Sequence, residues 1–298
     1  MKDELKYRRS AIVSAKGLGD ALLTMTLAYN LHKKGHEVHF YSDVLSLMAD
    51  YFPFVAVHPF ASYTLDAKEI LQRYDFCVFA DGLLAIEDDS TAASRLFVLN
   101  RDQQNRSIHY IHSFCQQMQD HGGLDVAIET MDNGLTLPAK YSFRKYAKRI
   151  ILHPTSSRLS KNWPMPKFIK LAQLLRASGY QPVFILTDSE KDYQQMLEPH
   201  AIEFVSLALN ELVPYLYESG AIVANDSGPG HLAAFTGIPT LSIFPKKSRS
   251  SMWRPVGDNV SLIWPRFRLP GSRGSRYWQR FLSVRQVHRA LMARLRDQ

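Results

Sequence analysis

Cysteine is scarce in this sequence. Two residues of 298, Cys77 and Cys115, are too few for a disulfide framework and lack the spacing of a zinc site. No apolar run approaches the ~20 residues that cross a bilayer as a helix, which argues against an integral membrane protein. The opening stretch, Met1 to Ser10, is charged and has no apolar signal core, so the expected location is the cytoplasm. Internal repeats and low-complexity tracts are also missing. What remains is globular material, 46% hydrophobic and 21% charged. At roughly 150 residues per domain it suffices for two domains.

The formal charge of +8 is unevenly spread. Residues 1 to 145 carry 15 Lys/Arg against 18 Asp/Glu, whereas residues 146 to 298 carry 21 against 10. From Lys246 onward, 13 cations face only Asp258 and Asp297. Such a half suits a nucleic acid, an anionic membrane surface or a phosphorylated ligand. No interleaved aromatic-basic motif supports the first, so no nucleic-acid partner is expected.

Hydrophobic patterning gives the architecture. A short apolar run, Ala11 to Ala15, leads into Lys16-Gly17-Leu18-Gly19-Asp20, and helical spacing of Leu22, Leu23, Leu27 and Leu31 follows. Gly35 ends that helix, and Val38 to Tyr41 reads as the next strand, completing a βαβ unit. Tyr74 to Asp81 is a further buried strand, ending in an acidic loop that continues to Asp89. After a basic stretch, Lys140 to Arg149, Ile150 to Leu152 starts a second alternation. It comprises a helix from Met165 to Ala177, a strand from Val183 to Leu186 and helices over 189–197 and 210–218. A strand from Ala221 to Ala224, a helix through Phe235 and a strand from Thr240 to Phe244 complete it. Residues 246 to 275 read as irregular, and a last helix is expected over about Tyr277 to Leu295. The fold class is therefore α/β, two Rossmann-like doubly wound parallel-sheet domains facing a cleft. The domains fall at 1–146 and 147–276, with 277–298 as a terminal helical segment. That segment either packs its apolar stripe back across the domain junction or rests on the anionic inner membrane surface through its Arg, Trp264, Tyr277 and Trp278.

Three loops carry candidate chemistry. Asp226-Ser227-Gly228-Pro229-Gly230-His231 joins an apolar strand to a helix, where free N–H groups and the helix dipole favour an anion. The plain alternative is a helix N-cap by Asp226 or Ser227. His153-Pro154-Thr155-Ser156-Ser157-Arg158-Leu159-Ser160-Lys161 also lies between strand and helix, and its hydroxyls and lysine suit a diphosphate. Gly17-Leu18-Gly19-Asp20 lacks the third glycine of a dinucleotide fingerprint, and Asp20 either caps the helix or acts as a general base. His109 and His112, three apart, have the spacing of two metal ligands but no third partner, which favours packing or surface roles.

Together these loops resemble glycosyltransferase family 9, the lipopolysaccharide heptosyltransferases. The family's Gly-Asp turn matches Gly17 to Asp20 with Thr24 in place, and its Tyr-Asp strand matches Tyr74 to Asp81. Its Ser/Thr pair, Lys and Trp-Pro match Ser156, Ser157, Lys161 and Trp163-Pro164. Its Asp-Ser/Thr-Gly-x-x-His-Leu-x-Ala segment matches Asp226 to Ala234, followed by Gly237-Ile238-Pro239. The order is right over nearly the whole chain. Three departures stand out. Thr26 stands where relatives have Pro, and the acidic loop 81–89 lies where relatives often place basic residues toward a phosphorylated acceptor. The amino-terminal domain reads as short, and Pro245-Lys246-Lys247-Ser248 replaces the usual Gly-Pro-Thr ending.

The resemblance implies the two-Rossmann GT-B architecture, with an amino-terminal acceptor side and a carboxy-terminal donor side. It implies an inverting, metal-independent transfer of heptose from ADP-heptose, without a cofactor, to a saccharide or lipooligosaccharide-type acceptor. Asp20 would be the base. Ser156, Ser157, Lys161, Glu190, Asp226, Ser227, Gly228 and His231 would bind the donor. Gly17 and Gly19 would form the amino-terminal turn. The alternative is a catalytically silent nucleotide-sugar-binding relative that acts as a partner or scaffold.

Overall fold

The computed structural model describes residues 9–60, 72–80, 96–99, 105, 107–122, 127–247, 252–267 and 277–296. The acidic loop 81–89 lies outside them. The chain divides into two compact units, Met1–Thr136 and Leu137–Gln298. The division falls ahead of the boundary at 146 suggested by composition. Residues 142–146 are already tied to the second unit, with Arg144 N–H bonded to the Tyr217 carbonyl and Tyr146 N–H to that of Glu218.

The first unit holds five parallel strands in the order β3-β2-β1-β4-β5. They are β1 (Arg9–Val13), β2 (Glu37–Tyr41), β3 (Ala56–His58), β4 (Phe76–Phe79) and β5 (Leu96–Val98). Helix α1 (Leu18–Lys33) connects β1 to β2, and everything from Ala21 to Ala28 on it is buried. It is covered on its outer side by the 129–133 strap. Asn30 accepts from the N–H groups of Glu129 and Thr130 and donates to the carbonyls of Thr26 and Thr130. All four of its hydrogen-bonding positions are therefore filled. Thr26 donates its hydroxyl to the Met131 carbonyl in the same strap. Helix α2 (Asp43–Ser46) is one turn long, and α3 (Tyr110–Gly122) closes the unit.

The second unit holds six parallel strands in the order β11-β10-β9-β6-β7-β8. They are β6 (Tyr146–His153), β7 (Gln181–Ile185), β8 (Glu203–Val205), β9 (Ser219–Asn225), β10 (Thr240–Ile243) and β11 (Val260–Ile263). Helices α4 (Met165–Ala177), α5 (Lys191–Leu197), α6 (Leu209–Tyr217) and α7 (Gly228–Phe235) make the connections. Both sheets reverse their strand order beside their first strand, which marks the doubly wound class. Every residue of β9 is buried, as an apolar central strand of a parallel sheet requires. Its second residue must be glycine, because a Cβ on Gly220 would lie 1.9 Å from the Ala147 carbonyl oxygen. That contact falls where the β6–β9 register shifts between Tyr146 and Ile150.

Two expectations need correction. The stretch 246–275 is not wholly irregular, since β11 sits in it as the edge partner of β10. The terminal segment is also two elements rather than one helix. A 3-10 turn, Trp278–Phe281, precedes α8 (Val284–Arg296). The break comes from a capping box in which Ser283 Oγ accepts from Gln286 N–H and Gln286 Oε1 accepts from Ser283 N–H.

Helix α8 lays Val287 and Leu291 into the core that holds Phe168, Leu171 and Leu175 of α4. Trp278 is fully buried in the same core. Its truncation to Ala should cost about 3–5 kcal/mol, measurable by denaturant titration. Deleting the chain from Tyr277 onward should likewise lower the melting temperature sharply. A deletion that melts like the parent would show the segment to be dispensable for folding.

Candidate functional site

The order of the second sheet reverses between β6 and β9, and ligands of open α/β sheets bind outside the carboxyl ends of the strands at such a point. Strand β6 ends at His153 and β9 at Asn225. The two singled-out loops, 153–164 and 225–231, leave from these adjacent ends.

Lys161 and Asp226 join them directly. Lys161 Nζ lies 3.0 Å from Asp226 Oδ2, with the two side chains 14% and 6% exposed. A lysine ammonium has three donors, so this contact orients the cation while leaving others for an incoming anion. Asn225, fully buried, supplies a second tie. Its Oδ1 accepts from Trp163 N–H at 2.9 Å, and its Nδ2 donates to the Pro154 carbonyl at 2.5 Å. His153 supplies a third, with Nδ1 3.0 Å from Ser227 Oγ and Nε2 3.3 Å from Thr155 Oγ1.

Helix α7 starts at Gly228 with Ser227 at its cap position, and the Ser227 side chain makes no capping bond. The plain reading of Ser227 as a side-chain N-cap is thus not what the structure shows, because its hydroxyl is turned to His153. The first-turn N–H groups have no intrahelical acceptors, and the helix dipole places positive potential there. Pro229 lacks an N–H in any case. Gly230 lets the helix close onto the sheet, since a Cβ there would lie 3.2 Å from the Ala224 Cβ. His231 is buried, and its Nδ1 has no hydrogen-bond partner among the described residues. Asn162 Nδ2 is in the same condition. Unsatisfied buried polar atoms are uncommon and concentrate where a ligand or ordered water completes the network.

The other donor-side residues sit less directly. Ser156 Oγ donates to Asn162 Oδ1 at 2.6 Å, bracing its own loop, while Ser157 is exposed. Glu190 follows β7, next to β6, and its Oε2 accepts from the Thr187 N–H and hydroxyl at 2.7 and 3.0 Å. Its carboxylate therefore closes the turn before α5.

In the first unit, Gly17 is the cap position of α1, with Gly19 and Asp20 in the first turn. Gly17 has extended backbone angles and makes no side-chain cap. Asp20 is half-buried beside the end of β1, and its carbonyl accepts from Thr24 Oγ1 at 2.8 Å. A Cβ on Gly17 would lie in ordinary contact, 3.8 Å, with Asp20 Oδ2, so the turn and the carboxylate are neighbours. His109 is buried at the start of α3, where its Nδ1 accepts from Ile111 N–H. No group of three or more His, Cys, Asp or Glu side chains able to hold a metal occurs among the described residues.

The family model for glycosyltransferase family 9 (heptosyltransferase) matches residues 86–271, more than half of the chain. The chain belongs to this family. Lipopolysaccharide heptosyltransferase 3 of Escherichia coli K12 is 29% identical over 126 residues, covering 39% of this chain and 36% of that protein. Lipooligosaccharide heptosyltransferase 2 of Haemophilus influenzae is 33% identical over 115 residues, covering 35% and 32%. The chain thus aligns with about a third of the length of these curated relatives. Solved structures extend the likeness in fold. The E. coli ADP-heptose lipopolysaccharide heptosyltransferase II has a TM-score of 0.74 at 16% identity, with 97% of this chain and 99% of that one covered. A family 9 glycosyl transferase from Veillonella parvula gives 0.75 at 15%, with 98% of each covered. Two Rossmann-like units of the GT-B class are the family's fold and this chain's.

His153 and Asn225 hold the site together, although the sequence singles out neither for a role. Each is a polar side chain that ends the buried run of a central strand.

Burial pushes the pKa of His153 down to about 4, with Glu190 opposing the shift. It does the same to His231, with Asp226 opposing and Lys161 assisting. Both rings are therefore neutral at pH 7. The unfolded chain takes up protons near 6.5 and the folded one only near 4. Stability should therefore fall as pH drops through that window, and His153→Gln should flatten the loss. Denaturant midpoints measured between pH 7 and 4 test this, and identical slopes for parent and variant would refute it. Breaking the ion pair should be costly too. Lys161→Met should destabilise by about 3–5 kcal/mol by taking the cation away from the buried Asp226 carboxylate, and the double variant Lys161→Met/Asp226→Leu should recover most of that loss.

Proposed function

We propose that this chain is an inverting glycosyltransferase. It would move heptose from ADP-heptose to a saccharide or lipooligosaccharide-type acceptor. The observation that carries the reading is the meeting of an oriented lysine, Lys161, with the start of α7 at the β6–β9 switch point. That arrangement fits a leaving diphosphate. The ammonium and the helix N-terminus would take up its developing charge, the role a metal plays elsewhere. Ser157 lies on the same loop, and His231 Nδ1 supplies an unspent polar atom. The choice of ADP is supported by the names of solved relatives, which include an E. coli heptosyltransferase with ADP. We take the reaction to need neither metal nor cofactor, although another structural neighbour is an iron-containing glycosyltransferase.

Asp20 is the proposed base. It would remove the acceptor hydroxyl proton as the oxygen attacks the anomeric carbon and the bond to the diphosphate breaks. Its place in the first turn of α1, the helix that follows β1, and its partial exposure support this role.

The test combines ligand-induced melting shifts with turnover. ADP at about 100 times its dissociation constant should stabilise the protein by roughly 2.7 kcal/mol, with UDP, GDP and CDP giving less. Asp226→Asn should diminish that shift. Asp20→Ala should keep it but lose about 10²–10⁴-fold in transfer rate. An ADP shift without transfer to any lipooligosaccharide acceptor would favour the silent nucleotide-sugar-binding relative. No shift with any nucleotide would sink the donor reading.

A further inference from the structure

The cations of the second unit outside the site are not scattered evenly. The sequence has no carboxylate side chain between Asp132 and Asp188, a stretch with ten Lys/Arg. It has none between Asp258 and Asp297, a stretch with nine. The fold lays residues 160–178 of the first against residues 278–288 of the second. Trp278 Nε1 donates to the Ser160 carbonyl at 3.0 Å, and Trp163 Nε1 donates to that of Leu282 at 3.1 Å. Lys167 Nζ reaches the carbonyls of Gln279 and Leu282, and His288 Nε2 stands 3.4 Å from Ser178 Oγ at the end of α4.

Some cations here are spent on structure. Lys167 holds two carbonyls, Arg176 those of His200 and Ala201, and Arg294 that of Asp258. Arg149 bonds the Ser219 hydroxyl and the Tyr215 carbonyl, whereas other cations face solvent. Arg285, Arg289 and Arg296 recur at helical spacing along one exposed stripe of α8, and Lys170 is exposed on α4. None of the four is in an ion pair among the described residues. Exposed aliphatic groups stand on the same elements and beside them, Leu174 on α4 at 38% and Leu159 at 78% on the turn that Trp278 braces.

We infer that the α4–α8 face of the second unit docks on an anionic phospholipid bilayer. Charge decides the sign of the partner, since the face offers exposed cations and neither α4 nor residues 277–296 contain a carboxylate side chain. The apolar groups decide its kind. Leucines gain from the headgroup–acyl boundary but give a nucleic acid no stacking platform. The ring of Tyr277 is already covered by the Arg280 guanidinium at 5.1 Å. The inference uses no residue assigned above to the donor or the base, so it stands or falls apart from that reading.

Cosedimentation of the full chain with vesicles tests it. Vesicles of phosphatidylcholine alone should leave the protein in solution. An equimolar mixture with phosphatidylglycerol should bind it, less so as salt rises. Arg285→Gln/Arg289→Gln/Arg296→Gln should weaken binding by on the order of 100-fold, about five-fold per cation. Lys140→Gln/Lys145→Gln/Lys148→Gln removes the same charge elsewhere on the unit and should change it little. Melting curves and the ADP shift should be unaltered in both variants. If the triple arginine variant does not fold, Lys170→Gln should still cost about five-fold. Equal losses in the arginine and lysine variants would mean attraction by net charge alone. Absence of binding, or tighter binding to a single-stranded oligonucleotide lost in the same arginine variant, would overturn the proposal.

Discussion

In a doubly wound parallel sheet the connections from the two central strands leave toward opposite faces. Neither connection fills the space above their carboxyl ends. In the second unit those strands are β6 and β9, and the space falls between the ends marked by His153 and Asn225. What surrounds it follows from that constraint. A loop that leaves a buried strand must satisfy its backbone without a neighbouring strand to pair with. The Asn225 amide does this for the Pro154 carbonyl and the Trp163 N–H together. The Lys161–Asp226 pair then fixes the distance between the loops, and the α7 N-terminus faces the space they enclose.

The loop that carries Lys161 does not hold its shape alone. Its outer side rests on the chain's last elements through Trp278, Leu282 and Gln279, more than a hundred residues away in sequence. A long-range brace of this kind makes the position of a loop lysine depend on the packing of α8. Backbone carbonyls of the terminal segment take the Trp163 and Lys167 donors, so the brace is hydrogen-bonded as well as apolar. A substitution in α8 that loosened Val287 or Leu291 would therefore be felt at the site, even though neither side chain approaches it.

Legibility in the sequence followed the size of each element and the locality of its signal. Helix Met165–Ala177 was readable because apolar spacing, Pro166 in the first turn and the following Ser178-Gly179 all agree. Strands β7, β9 and β10 and the end of β6 from Ile150 were readable because both faces are buried and the runs are apolar. The three-residue strands β3, β5 and β8, and the edge strand β11, are too short or too mixed to show a period. The split at Ser283 was present in the sequence as Ser-x-x-Gln, but an apolar stripe continuing on both sides hid it. At the site, the residues that touch an expected ligand stood in recognisable loops. Those that hold the loops in place, His153 and Asn225, did not, because their partners lie over 60 residues away.

The charge asymmetry of the chain is best understood as two separate demands. A diphosphate needs few cations if they are oriented and shielded, and here a single lysine, held by a buried carboxylate, stands beside a helix N-terminus. Adding loose arginines there would contribute little, because exposed flexible charges are screened and lose side-chain entropy on binding. The site therefore does not account for the excess of cations in the second half. Part of that excess, Arg285, Arg289 and Arg296 of α8 with Lys170 of α4, faces solvent, where the opposite rule applies and attraction to an anionic plane accumulates over many weak charges. Absence of carboxylates is what such a surface needs, since each acid would cancel one cation. A site for a small anion tolerates an acid partner such as Asp226, and gains orientation from it.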